Sequence, residues 1–206
     1  HFRDGRAGFT LVEMLAVMAI VVILAGLTIG ISAGVSAKRA EARAKSDLAV
    51  LAQGLERIRS KVGDYPRVGD YPAAGESPSS AGAEALIRAL MGFRPVDPSR
   101  PQLLIRDVYV DAAALTYGGA DYNPNSNADP SGAFPADPWG SPYFYLYNPT
   151  YPRSRSRWKN PGYVLLSAGP DGRVALSSEA RATGLVDPDV YASDPDNADN
   201  IMFPLR

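Results

Sequence analysis

Residues 9–37 form a run of 29 residues in which Glu13 is the only formal charge, and no other feature limits the chain so strongly. About 20 consecutive apolar residues suffice to cross a bilayer as a helix, so the run reads as a membrane segment. Glu13, within "GFTLVEM", is the anomaly. A carboxylate in hydrocarbon costs roughly 2.5–3.5 kcal/mol even on a lenient insertion scale, so such an acid calls for a partner and a role. The plain alternative is an acid at the membrane boundary that snorkels to the head groups, although Glu is short for that.

Composition removes several functions. The 206 residues contain no cysteine, which excludes disulfides, thiolate metal sites and Cys nucleophiles. His1 is the only histidine, so His-based triads and His metal ligands are poor readings. The formal net charge of -1 offers no clustered basic footprint for nucleic acid. What remains is room for one membrane segment and one modest soluble domain.

The apolar run is preceded by "HFRDGRAG", which carries Arg3 and Arg6 and ends on the small residues Ala7 and Gly8. A secretory signal would be cut after its apolar stretch, whereas here the small-residue boundary stands before it. A cut behind Gly8 keeps the membrane helix and leaves a cationic amine on Phe9. "RAGFTLVEMLAVMAIVVILAGL" is similar to the class III signal of type IV prepilins and type II secretion pseudopilins. The resemblance implies that a prepilin peptidase cuts after Gly8 and N-methylates Phe9. It also implies that Glu13 pairs with the N-terminal amine of a neighbouring copy, setting the axial register of a filament. One departure is that Ala7 separates the basic Arg6 from Gly8.

Beyond residue 37 the pattern stays helical: Ala40, Ala44, Leu48, Leu51, Leu55, Ile58 and Val62 recur at spacings of 3 and 4. One helix over 9–62 is predicted, apolar all round in its first half and amphipathic in its second. Gly63-Asp64-Tyr65-Pro66 stops it. Gly26, Gly30 and Gly34 make two overlapping G-x-x-x-G units, which either allow close helix approach or are ordinary small residues of a membrane helix. Residues 63–80, with the duplicated "GDYP", read as loop, and 83–92 as a short helix with Leu86, Ile87 and Leu90 inward. A Pro-, Asn- and Asp-rich region over 93–136 is strand-like only at 102–110 and reads as an insertion. "DPWGSPYFYLYNP" and "GYVLLSAGPDG" predict an antiparallel strand pair within 143–147 and 162–172. The expected organisation is a leader (1–8), a transmembrane and polymerisation half-helix (9–37), an amphipathic half-helix (38–62) and a globular region (63–206). The fold class is α+β, a pilin-like lollipop with a long N-terminal helix on a small antiparallel sheet and a loop-rich C-terminus.

"DPWG.PY" followed by "S.GPDG" resembles the C-terminal half of the major pseudopilin of type II secretion systems. That resemblance implies a calcium ion held by the carbonyl of Ala168, by Asp171 of the "GPDG" turn, and by Asp199 and Asn200, where "DNI" replaces a family "DDI". Asn200 keeps an oxygen for a hard cation that takes about six to eight of them, but one negative charge is lost. Asp196 or Asn197, in the acidic stretch 187–200, could supply a replacement. By itself that stretch reads equally as a solvated loop, and it lacks the spacing of an EF-hand. "RSRSRWK" over 153–159 is a local basic patch, most simply a solvated loop tip.

Together the two resemblances imply a structural subunit, not an enzyme, that polymerises through its N-terminal helix into a periplasmic pseudopilus and drives protein export. Its implied partners are further copies of itself, a prepilin peptidase, an inner-membrane assembly platform and minor pseudopilins, with no nucleic acid. It would sit in the inner membrane as a single-pass protein with its C-terminal domain in the periplasm before joining the fibre. A type IV pilin or minor pilin of a surface filament is the first alternative. A membrane-anchored ligand-binding module that never polymerises is the second.

Overall fold

A computed structural model describes residues 10–67, 79–95, 106–126, 128–149 and 153–203; for 26–34 and 153 it describes backbone only. The chain divides into two compact units, residues 1–39 and 40–206. One helix, α1 (Leu11–Val62, 52 residues), belongs to both, and its extent agrees with the apolar periodicity. Up to Ala25 its side chains are exposed on every face, from Leu11 and Val12 to Ile23 and Leu24. Among the described residues no helix is long and apolar enough to cross a membrane. The expected segment 9–37 takes in Phe9 and the side chains of 26–34, which lie outside the described residues.

From Ala40 onward α1 is one wall of a core. Ala44, Leu48, Leu51, Leu55 and Ile58 are buried, the stripe that spacings of 3 and 4 place on one helix face. Against it lies α2 (Ser80–Leu90), which begins three residues before the predicted start and buries Leu86, Ile87 and Leu90. The two helices come close at Gly54, where an added Cβ would lie 2.8 Å from Leu90 Cδ2 and 3.3 Å from the Tyr109 carbonyl oxygen.

The other wall is a three-stranded antiparallel sheet in the order β3 (Phe144–Leu146), β4 (Val164–Ser167), β5 (Ile201–Met202). The first two are the predicted pair, in register Tyr145 opposite Leu165. All seven residues of β3 and β4 are buried, so these strands read as apolar runs rather than alternations. The region 93–136 is not a featureless insertion. Residues 106–110 form no strand, whereas β1 (Thr116–Gly119) and β2 (Ala133–Ala136) make a separate two-stranded ribbon that the sequence did not announce. Arg88 of α2 fixes the segment leading into β2 through a bidentate pair with Asp129, at 2.9 and 2.8 Å.

Tyrosines join helix and sheet. Tyr65, just past α1, stacks edge-on with Tyr147 and Tyr163 at 5.2 and 4.9 Å, and Tyr145 donates to the Pro66 carbonyl at 2.8 Å. Asp64 accepts the Tyr147 hydroxyl, so the first "GDYP" is a docking segment; its second copy lies outside the described residues.

Two carboxylates are buried here. Asp47 of α1 accepts from Tyr143 Oη at 3.1 Å and from Arg43 Nε at 2.9 Å. Asp137 opens the "DPWG" turn: its Oδ1 takes the amides of Trp139 and Ser141, and its Oδ2 takes the Ser167 hydroxyl at 2.6 Å. Burial pushes both above the ordinary value of 3.8, against the hydrogen bonds that favour the charged form. The folded chain therefore keeps protons that the unfolded chain has already released. Stability should fall as pH rises from about 4 through the raised folded values, and be flat above them. In urea titrations across that window Asp137→Asn should lose its share of the slope. A wild-type-minus-variant difference that does not change with pH would show that Asp137 titrates normally.

Candidate functional site

Two places carry the predicted site residues. At the N-terminus, Gly8 and Phe9 lie outside the described residues, and Glu13 is exposed in the first turn of α1. Glu13 Oε2 accepts from the Thr10 amide at 2.9 Å and from Thr10 Oγ1 at 2.8 Å, while the Glu13 amide donates back to Thr10 Oγ1 at 3.3 Å. This is a capping box, in which the N-cap and N3 residues satisfy each other's polar groups at the start of α1. Thr10-Leu11-Val12-Glu13 carries the S/T-x-x-E signal for it, which is easily passed over once Glu13 is taken as an intermolecular partner. Glu13 thus has a duty within its own helix.

At the other end, the "GPDG" turn meets the C-terminal segment. Asp171 N donates to Asp199 Oδ2 at 3.2 Å across 28 residues of chain, and Asp171 Oδ1 accepts from Arg173 N at 2.8 Å. Gly169 permits the approach: its φ is +64, and an added Cβ would lie 2.4 Å from the Asp199 carbonyl oxygen. Ala168 is fully buried beside this turn. Asn200 Nδ2 donates to Tyr191 Oη and Asn197 Oδ1, both at 2.9 Å, while its Oδ1 is buried without a hydrogen-bond partner among the described residues. The structure therefore brings the loops of Ala168, Asp171, Asp199 and Asn200 together. Among the described residues there is no cluster of three or more acidic, His or Cys side chains able to hold a metal.

The acidic stretch has a local explanation. Asp187 caps α4 (Pro188–Ser193) by accepting from the amides of Asp189 and Val190, and Asp194 caps the 3-10 turn Pro195–Asn197 through the Asp196 amide. Each is an Asp-Pro pair, with the acid at the N-cap and proline at the first helical position, a signal present in "VDPDV" and "SDPDN". Asn197 is buried and clamps Ala175 from both sides, accepting its N–H and donating to its carbonyl, each at 2.8 Å. Its amide serves the fold, and Asp196 faces Arg173 at 3.4 Å.

Residues 3–29 match the family model of the prokaryotic N-terminal methylation motif, and they run into α1 of an α+β architecture consistent with a pilin-like fold. More particularly, the chain is similar to the type II secretion system core protein G. It is 28% identical to that protein of Escherichia coli (strain K12) over 182 residues, 88% of this chain and 94% of the relative. To that of Pseudomonas aeruginosa it is 26% identical over 171 residues, 83% of this chain and 88% of the relative. No solved structure matches the chain.

The glycine contact yields a paired prediction. Gly63 also has positive φ, +86, but an added Cβ there meets nothing within 4 Å. Gly63→Ala should cost only the left-handed backbone penalty, about 1–2 kcal/mol, whereas Gly169→Ala must also push Asp199 away. Thermal melts should separate the two clearly. Equal losses would mean that the Gly169–Asp199 contact holds nothing.

Proposed function

We propose that the chain is the main structural subunit of a type II secretion pseudopilus, a homopolymer whose growth drives protein export. The observation that carries this is the methylation motif at 3–29, which overlaps the start of a 52-residue helix whose side chains up to Ala25 are exposed on every face. Similarity to core protein G over 88% of the chain supports it from the other end. A prepilin peptidase would remove residues 1–8 behind Gly8 and methylate the amine of Phe9. The helix would anchor the subunit once in the inner membrane with its C-terminal domain in the periplasm, where an assembly platform adds it to a fibre begun by minor pseudopilins. The role is structural, not catalytic.

Within the fibre each incoming Phe9 amine would enter an apolar core, and a buried charge there needs a counter-charge. Glu13 of the neighbouring copy is suited to supply it, at the expense of its bonds to Thr10. Mass spectrometry of the membrane-extracted chain should find methylated Phe9 as its first residue, and Glu13→Ala should be cut normally yet fail to build fibres. A retained leader would overturn the processing step, and normal Glu13→Ala fibres the register role.

We also propose that the Gly169–Asp199 junction holds calcium. In support, the carboxylates of Asp171 and Asp199 belong to loops in direct contact, and the buried Oδ1 of Asn200 has no hydrogen-bond partner among the described residues. With the Ala168 carbonyl these are oxygen donors of the kind a hard cation takes. Calcium that binds only the folded chain would stabilise it by about 2.7 kcal/mol at a hundredfold excess over Kd. Melts of the full chain in detergent with calcium and with chelator should differ, Asp171→Ala should abolish most of the difference, and Asn200→Asp should enlarge it. Superimposable curves at millimolar calcium would remove the metal from the account.

A further inference from the structure

Beyond the exposed residues of α1, three large apolar side chains are exposed among the described residues: Val108 at 61%, Leu185 at 54% and Val190 at 60%. Their surroundings have opposite character. Leu185 and Val190 lie in a groove of about 550 Å³ between α3 (Ser178–Thr183) and α4, which is also lined by Glu179, Asp187, Asp194 and Asp196, with Arg157 and Arg173 pairing with Glu179 and Asp196 from its edge. Val108 stands on the surface among three cations and one acid, Asp107. It is flanked by exposed Arg106, and the last turns of α1 bracket it, with Arg57 Nη1 donating to the Tyr109 carbonyl at 3.5 Å and Lys61 paired with Asp107.

We infer that the Val108 knob of one copy seats in the Leu185–Val190 groove of the next copy, with Arg57, Lys61 and Arg106 facing the four carboxylates of the rim. Apolar surface would meet apolar surface at the centre, and the balance of charge is opposite around the two patches, four acids against Arg157 and Arg173 at the groove and three cations against Asp107 at the knob, which orients the encounter and fixes the register. A single valine does not fill such a groove, but the aliphatic stems of flanking arginines add to it. No residue of the knob lines the groove, so one copy can use both at once. That makes the contact heterologous and able to propagate, where a self-complementary patch would stop at a dimer. The contact is too small to hold two copies alone, since stable interfaces bury about 800 Å² per partner. It would orient globular units whose helices supply most of the binding.

The inference rests on the self-assembly reading above, and one experiment separates the two. The chain has no cysteine, so Val108→Cys combined with Val190→Cys introduces its only thiols, both at exposed positions away from the core. The full chain is produced in cells with the secretion machinery, fibres are viewed by electron microscopy, and thiols are oxidised with copper–phenanthroline, which takes the two electrons as each disulfide forms. The expected result is a ladder of dimers, trimers and longer species from the double variant and none from either single variant, with a several-fold lower yield when Arg106→Glu is added. Fibres without a ladder would overturn the knob-and-groove contact and leave the subunit reading intact. Dimers from Val108→Cys alone would also overturn it, because the patch would then be meeting itself. A wild-type chain that forms no fibres would overturn both.

Discussion

A buried carboxylate on the apolar face of α1 sets the terms for the globular unit. Asp47 interrupts the stripe of Ala44, Leu48 and Leu51, and it is tolerable there only because Tyr143 and Arg43 bond to it. A purely aliphatic face can rotate or slide with little penalty, whereas a hydrogen-bonded acid fits one register. Tyr143 precedes β3, and Asp137, at the head of the same segment, is held by Ser167 of β4. Helix, turn and sheet are thus connected through two acids that burial alone would expel. The same acids make the fold sensitive to pH, with both carboxyls raised above the ordinary range.

The aspartates farther along solve a different problem. Cysteine is absent, and the C-terminal third consists largely of short turns whose ends have amides to satisfy. Asp187 and Asp194 accept those amides, Asp199 accepts one from the "GPDG" turn, and Asn197 straps Ala175. Each bond contributes only about 1 kcal/mol, and each satisfies an amide that a short turn leaves without a partner of its own. In a run of acids that looks like a ligand set, two members, Asp187 and Asp194, are therefore helix caps.

The sequence was most legible where a period or a stop is local. The 3-and-4 spacing from Ala44 to Ile58 predicted the buried face of α1, Gly63 to Pro66 predicted its end, and the apolar runs at 143–147 and 162–172 predicted the β3–β4 pair. It was least legible where the deciding contact is distant. Residues 102–110 look strand-like in isolation, and 102–105 lie outside the described residues; over 106–110 Tyr109 donates its amide to Leu90 at the end of α2, and no ladder forms. Pro135 and the glycines of Thr116–Gly119 argue against strands on propensity, but the ribbon forms because each strand pairs with the other and β2 lies on α2. At the N-terminus "GFTLVEM" singles out Glu13 for an intermolecular role, while the contact the structure describes is the cap with Thr10, encoded in the same letters. At the C-terminus the motif identified the meeting of Asp171 with Asp199, whereas the buried amide oxygen of Asn200 needed coordinates to be seen.

The close contact at Gly169 has a consequence for what the surface can become. Because the turn at Gly169–Asp171 touches Asp199, and β4 pairs with β5 immediately beyond it, residues 173–198 leave and rejoin the framework at nearly one point. The entropy of closing such a loop grows only logarithmically, about 0.6 kcal/mol for each doubling in length. Once its ends are clasped, Val174, Leu176 and Ala180 stay fixed in the core, whereas the exposed part of the excursion around α4 can lengthen or shorten with little penalty to the sheet. It is a place where a chain of this architecture can diversify its outer face while its helix and strands stay as they are.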